Sequence, residues 1–218
     1  MAKNSSEVAK KSAAVPVAKS EAAKQPKSLA RFIPWLLVIG GIIGLLCAFV
    51  IGYDEFKLSQ NPHFVPSCNL NPVISCGSVM QSKQAHAFGF PNVFIGFTAF
   101  AVVITSGMAL LAGAKLKRWY WRGLEAGTIF GIGFVHWLFF QTVYRIHALC
   151  PYCMAIWTVT ITTFLYVTLY NLETGAIPAP AKLTQQLRKH HIDILVLWLV
   201  IIAGLILKHF WYYYGHYF

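Results

Sequence analysis

Five apolar blocks, Phe32–Tyr53, Val93–Ala114, Gly123–Ile146, Pro151–Leu172 and Ile192–Tyr213, alternate with more polar stretches along the 218 residues. Each is about 22–24 residues long, against the roughly 20 that a helix needs to cross the hydrocarbon of a bilayer. Trp and Tyr stand at several block ends, as in Trp35, Tyr53, Trp119–Trp121, Tyr170 and Trp211–Tyr214, and these side chains favour the headgroup layer. The pattern predicts an all-α membrane protein with five transmembrane helices. Glycines recur in two blocks, as Gly40, Gly41 and Gly44 and as Gly127, Gly131 and Gly133, where small residues let helices approach closely in lipid. Residues 1–30 contain no aromatic residue and are rich in Ala, Lys, Ser and Val, which predicts a disordered cytoplasmic tail. That charged stretch is too long, and the block after it too long, for a cleaved signal peptide.

Composition agrees with the blocks. Hydrophobic residues make up 57% of the chain and charged residues 11%, which excludes a disordered chain and an ordinary soluble enzyme. The net charge of +11 does not describe a nucleic-acid-binding face. Seven basic residues, Lys3, Lys10, Lys11, Lys19, Lys24, Lys27 and Arg31, lie before residue 32. Between the blocks, basic residues number two in 54–92, four in 115–122, none in 147–150 and three in 173–191. High and low therefore alternate, and basic residues are retained in the cytoplasm, so the N-terminus is expected inside and the C-terminus outside. Arg145 and Lys208 are minor exceptions. Both low-charge loops then share the extracytoplasmic face, and four of the five cysteines lie there.

The cysteines form two pairs and a singleton. Cys68 and Cys76 bound C-N-L-N-P-V-I-S-C in the long outer loop, and Cys150 and Cys153 form C-P-Y-C at the start of the fourth block. Pro151 suits the first position of a helix, so Cys150 is expected at a helix N-terminus, where the dipole and free N–H groups favour a thiolate. That arrangement serves dithiol–disulfide exchange; a structural disulfide and a pair of metal ligands remain open readings. The missing His after Cys153 excludes a c-type haem site. The loop pair reads as a static clip, as a shuttle disulfide or, with the second pair, as a four-cysteine zinc site. Taken together, the pairs suit a relay, because exchange passes two electrons through a mixed disulfide. One pair would face a partner and the other a lipid-soluble acceptor such as a quinone.

The strings C-N-L-N-P-V-I-S-C-G-S-V and F-G-F-P-N-V-F-I-G, followed by C-P-Y-C opening a helix, resemble the vitamin K epoxide reductase family over about residues 32–172. The likeness is to its bacterial members, which oxidise thiols for periplasmic disulfide formation. DsbB-type quinone oxidoreductases carry their CxxC first, the reverse of the order here. The resemblance implies a four-transmembrane-helix bundle around a quinone site, with the fifth helix as an addition. It implies that Cys68 exchanges with the partner, Cys76 passes electrons to Cys150, and Cys153 stands beside the quinone. Asn92 corresponds to an asparagine that hydrogen-bonds a quinone carbonyl. One turn after Cys153 the family often has a tyrosine; this chain has Trp157, whose indole can also donate. Vitamin K epoxide chemistry lies outside what that position carries over. Many bacterial homologues continue into a thioredoxin-like domain; this sequence ends at Phe218, so a separate thioredoxin-fold (DsbA-like) partner is expected.

These readings divide the chain into a tail at 1–30, a four-helix catalytic domain at 31–172, a cytoplasmic loop at 173–191, and a fifth transmembrane helix with a short outer tail at 192–218. The expected function is a thiol–quinone oxidoreductase, with menaquinone or ubiquinone as acceptor, no metal and no nucleic acid. Strong periplasmic thiol oxidants sit near about −120 mV, so regenerating them requires a more oxidising acceptor. The alternatives are a vitamin K epoxide or quinone reductase and a disulfide- or zinc-stapled membrane scaffold. Cys47 is expected to pack, and His136 to be a satisfied structural histidine or to stand near the quinone. His147 is a candidate proton donor, His63 and His86 are loop residues, and Glu125 is snorkelling or paired. Residues 77–88 are expected to form one short amphipathic lid helix, with Val79, Met80 and Phe88 on the bundle.

Overall fold

The computed structural model describes residues 27–214. The chain forms α1 (Lys27–Gln60), α2 (Cys76–Met80), α3 (Val93–Leu111), α4 (Arg118–Gln141), α5 (Pro151–Glu173) and α6 (Ala181–Tyr214). A 3₁₀ turn at Lys83–His86 follows α2, and a π turn at Thr142–Ile146 ends α4. All helices except α2 contain stretches long and apolar enough to cross a membrane, which makes five candidate spans. Among the described residues the protein is helical, apart from one isolated parallel bridge between Ile74 and Leu149.

Helix α1 is the centre of the bundle, packed along α3 on one side and α5 on the other, while α4 packs on α5. Small residues set the α1–α3 distance. A Cβ on Gly41 would stand 2.6 Å from Ile104 Cγ1, and one on Gly107 would stand 2.8 Å from the Pro34 carbonyl oxygen. The glycines of α4 divide: a Cβ on Gly131 would stand 3.3 Å from Thr160 Cγ2 of α5, as close packing requires, whereas Gly127 and Gly133 have nothing within 4 Å. Helix α6 lies outside the bundle against α5, and Ile192, Val196, Leu197 and Val200 remain exposed on it, as suits a lipid-facing surface.

Polar staples join the layers. The Trp198 indole donates to His136 Nε2 at 2.9 Å, and His136 Nδ1 lies 2.8 Å from the Ile132 carbonyl, so His136 is the neutral Nδ1–H tautomer. Its role is to tie α6 to α4. Glu125, 4% exposed, does not snorkel; it accepts from Thr168 Oγ1 at 2.6 Å and from Asn171 Nδ2 at 2.8 Å.

Three expectations about boundaries change. Residues 27–30 form the first turn of α1 instead of ending the tail, and residues 1–26 of that predicted tail lie outside the described residues. The loop expected at 173–191 is short, because α6 begins at Ala181 and absorbs the polar stretch through a bend at His190. The single lid helix is instead α2 plus the 3₁₀ turn, because the Ser82 side chain caps Ala85 N–H and starts a new turn. Met80 is buried as expected, but Phe88 is half exposed, resting on Phe130 and Phe134 of α4.

Candidate functional site

The loop from 68 to 76 is organised by its asparagines. Asn71 Oδ1 accepts from the backbone N–H groups of Val73 at 2.9 Å and Ile74 at 2.7 Å. Asn69 Oδ1 accepts from Gly77 N–H at 2.9 Å, and Gly77 leaves room for it, since a Cβ there would stand 2.9 Å from Asn69 Nδ2. Ser75 caps α2 by accepting from Ser78 N–H. These bonds turn a sequence with little regular structure into a fixed platform that begins α2 at Cys76.

The platform is then bonded to the segment before α5. Leu149 N–H donates to the Val73 carbonyl at 2.6 Å, and Ser75 N–H donates to the Leu149 carbonyl at 3.0 Å. Cys76 and Cys150 each follow this bridge directly, so two hydrogen bonds hold the two cysteine pairs side by side. Both residues are fully buried in one cluster with Cys68, Ile51 and Met80.

The two pairs are in different states. Cys68 and Cys76 form a disulfide, whereas Cys150 and Cys153 are free thiols. A disulfide takes the loop sulfurs out of the ligand set that a four-cysteine zinc site needs. Cys150 is the N-cap of α5 with Pro151 behind it, as the sequence predicts. Its thiol is held below the ordinary value, first by the hydrogen bond from the Cys153 side chain, then by the N–H groups of Cys153 and Tyr152. Burial and the Asp54 carboxylate pull the other way. Cys150 is thus the thiol of the pair that favours its thiolate form, with Cys153 donating to it.

Cys153 packs against two clusters at once. On one side is the cysteine cluster; on the other is the apolar cluster of Val73, Val135, Phe139, Trp157 and Phe210. An apolar cavity of about 390 Å³ lies beside the same helix start, lined by Ile74, Leu149, Pro151, Met154, Ala203 and Ile206 among others.

The sequence match decides the family. The model of the Vitamin K epoxide reductase family matches residues 35–168, more than half of the chain. The chain belongs to the vitamin K epoxide reductase family. It is therefore a membrane oxidoreductase of a family that uses a quinone. No curated protein matches the chain.

The residues present fit a quinone headgroup. Val93, Ile156 and Ile51 provide apolar walls at the cysteine cluster. Trp157 is 4% exposed, so its indole, which carries one N–H donor, lies inside the bundle. Asn92 also has a structural engagement. Its Nδ2 donates to the Gln84 carbonyl at 2.7 Å and its Oδ1 accepts from Ala87 N–H at 3.2 Å, which staples the lid turn to the start of α3. One amide hydrogen remains for a ligand. Neither Asn92 nor Trp157 lines the 390 Å³ cavity.

Other residues read from the sequence find definite places. Cys47 lies within electrostatic range of Cys150 and Cys153, so it packs beside the redox pair and not at a remote spot. His147 takes a left-handed conformation with φ 57° at the end of the π turn, and its Nδ1 shares a 2.9 Å hydrogen bond with His209 Nε2 of α6. His86 is more than a loop residue, since it pairs with Glu55 at 3.0 Å and ties the lid to α1. The sequence reading passed over Asn69, Asn71 and Asp54. The asparagines were legible as turn formers flanking the first cysteine; Asp54 was legible as an acidic residue at the end of an apolar block.

Proposed function

We propose that the protein carries electrons from an extracytoplasmic thioredoxin-fold (DsbA-like) dithiol to a membrane quinone and so supports disulfide-bond formation. The observation that carries this reading is the Ile74–Leu149 bridge, which holds a closed Cys68–Cys76 disulfide against a reduced Cys150–Cys153 pair. In this reading Cys68 receives the electrons by exchange with the partner. Once Cys150 and Cys153 are joined in a disulfide, Cys76 attacks Cys150 and expels the Cys153 thiolate, and Cys68 then closes on Cys76 to release the Cys150 thiolate. Thiolate attack through a mixed disulfide needs two sulfurs on adjoining supports, and the bridge supplies those supports. A quinone acceptor would lie beside Cys153, with Asn92 and Trp157 donating to its carbonyl oxygens. When bound, it supplies a two-electron sink.

The remaining residues shape the path. The N-terminus of α5 favours the Cys150 thiolate, so Cys150 is both a good leaving group and a ready nucleophile. The lid of α2 and the 3₁₀ turn covers the cluster and limits water. The basic residues at the opposite end, Lys115, Lys117, Arg118 and Arg122, support a cytoplasmic N-terminus and an extracytoplasmic cysteine end.

The test is quinone reduction by the chain in nanodiscs, driven by a reduced thioredoxin-fold dithiol. Turnover is expected in the wild type and lost in Cys153→Ala. Partner-driven turnover is also expected to be lost in Cys68→Ala. Folded wild type that reduces no quinone when the reduced thioredoxin-fold dithiol is supplied overturns the proposal.

A further inference from the structure

Asp54 is 6% exposed near the cysteine end of α1, and its Oδ2 is fully buried with no hydrogen-bond partner. It is not a surface residue folded under by accident. Cys47, Ile51, Asp54 and Leu58 follow one another at spacings of four, three and four residues, which places them on one face of α1. Ile51 and Leu58 of that face pack in the cysteine cluster, and Asp54 acts on Cys150 through space. A carboxyl with a buried, unpaired oxygen is a poor host for a charge, above all beside a thiolate.

No cation compensates it. Among the described residues Asp54 makes no ion pair. On its own helix, Lys57 lies over the Tyr53 ring and Glu55 is paired with His86 of the lid. Helix α3 has no titratable residue, and Cys76 of α2 is in the disulfide. From α5 the titratable groups in the cluster are Cys150, Cys153 and Tyr152. One negative charge therefore has two hosts, Asp54 and Cys150.

We propose that Asp54 is the proton store of the relay: it is protonated while the Cys150–Cys153 pair is reduced and ionised while that pair is oxidised. The inference rests on the thiol–quinone reading for its direction. The balance closes in both half-cycles. When the Cys150–Cys153 sulfur–sulfur bond forms, the pair gives up two electrons; Cys153 loses one proton and Asp54 loses the second. Those are the two electrons and two protons that convert a quinone to a hydroquinone. When Cys68 and Cys76 close, their two electrons open the Cys150–Cys153 disulfide. Of their two protons, one goes to Cys153 and one to Asp54, leaving Cys150 as thiolate. Charge is conserved in each step, because the single negative charge moves between Cys150 and Asp54.

The experiment counts protons without a quinone. The full chain in nanodiscs, with Cys68–Cys76 closed and Cys150–Cys153 reduced, is oxidised by ferricyanide, which takes electrons and no protons. At a pH where Cys150 is thiolate, the wild type is expected to release two protons per disulfide formed, and Asp54→Asn one. Infrared difference spectra of the same oxidation are expected to lose a protonated-carboxyl band in the wild type. That measurement needs no folded variant. Release of one proton by the wild type, or no loss of a carboxyl band, overturns the proposal. Quinone turnover reads separately: failure there with two protons released sinks the quinone reading and leaves the store intact.

Discussion

Removing the Asn69 side chain is expected to uncouple the two cysteine pairs without touching a sulfur. Asn69 Oδ1 is the acceptor for the N–H of Gly77, which is buried, and it also receives a weak contact from Ser75 Oγ at 3.4 Å. In Asn69→Ala that buried N–H loses its partner, at a cost of about 1–3 kcal/mol. The loop relieves the cost by swinging α2 away, and Cys76 moves with it. The population held against Cys150 then falls by roughly 5- to 150-fold. The assay starts from Cys68→Ser with Cys153→Ser, which leaves Cys76 and Cys150 to pair. Equilibration against glutathione, read by mass spectrometry without reductant, gives their effective concentration. Adding Asn69→Ala should lower it by that factor. Asn61→Ala removes a comparable bond, to His63 N–H at 3.0 Å on an exposed turn, and should leave it unchanged. An effective concentration indifferent to Asn69→Ala would refute the platform account.

Three further outcomes follow from the packing and the thiol chemistry. Alkylation of Cys150 in the state with the loop disulfide closed should persist below the about 8.5 of a free cysteine, and Cys153→Ala should move the midpoint upward because the Cys153 hydrogen bond is the largest support of the thiolate. Since the folded value is the lower one, the thiolate adds stability above the unfolded value and loses it as pH falls through the folded one, which a pH series of unfolding midpoints checks. Gly107→Leu should prevent α1 and α3 from closing and cost more than about 3 kcal/mol, whereas Gly127→Ala meets nothing within 4 Å and should stabilise α4 by about 0.5–1 kcal/mol; thermal unfolding in one detergent compares them. Glu125→Leu leaves the Thr168 and Asn171 donors unpaired at about 1–3 kcal/mol each, while Glu125→Gln keeps an acceptor and should lose far less.

The spans were legible because each apolar block exceeds the length of a bilayer crossing, and C-P-Y-C at a helix start was legible because Pro tolerates that position and few others. What escaped the pattern is long-range. The bridge pairs Ile74 with Leu149 across 75 positions through backbone atoms, and backbone pairing leaves no mark in residue identity. The polar stretch 181–191 looked like a loop by hydropathy, yet it continues a helix, since composition decides burial and not helicity. Asn92 fitted a ligand contact by motif, and the structure engages its amide with the lid. Asp54 and Glu55 are adjacent acids of similar appearance, and only packing separates them: one is paired with His86 and the other is buried without a partner.

The central claim is that electrons leave the chain from the Cys150–Cys153 pair to a quinone. A single-turnover reaction tests it most directly: protein with Cys150–Cys153 reduced and Cys68–Cys76 closed is mixed with quinone in nanodiscs, with no thiol donor. The expected result is one hydroquinone per chain, with a new Cys150–Cys153 disulfide by mass spectrometry and the loop disulfide still closed. Reduced thiols that persist beside unreacted quinone would contradict the account.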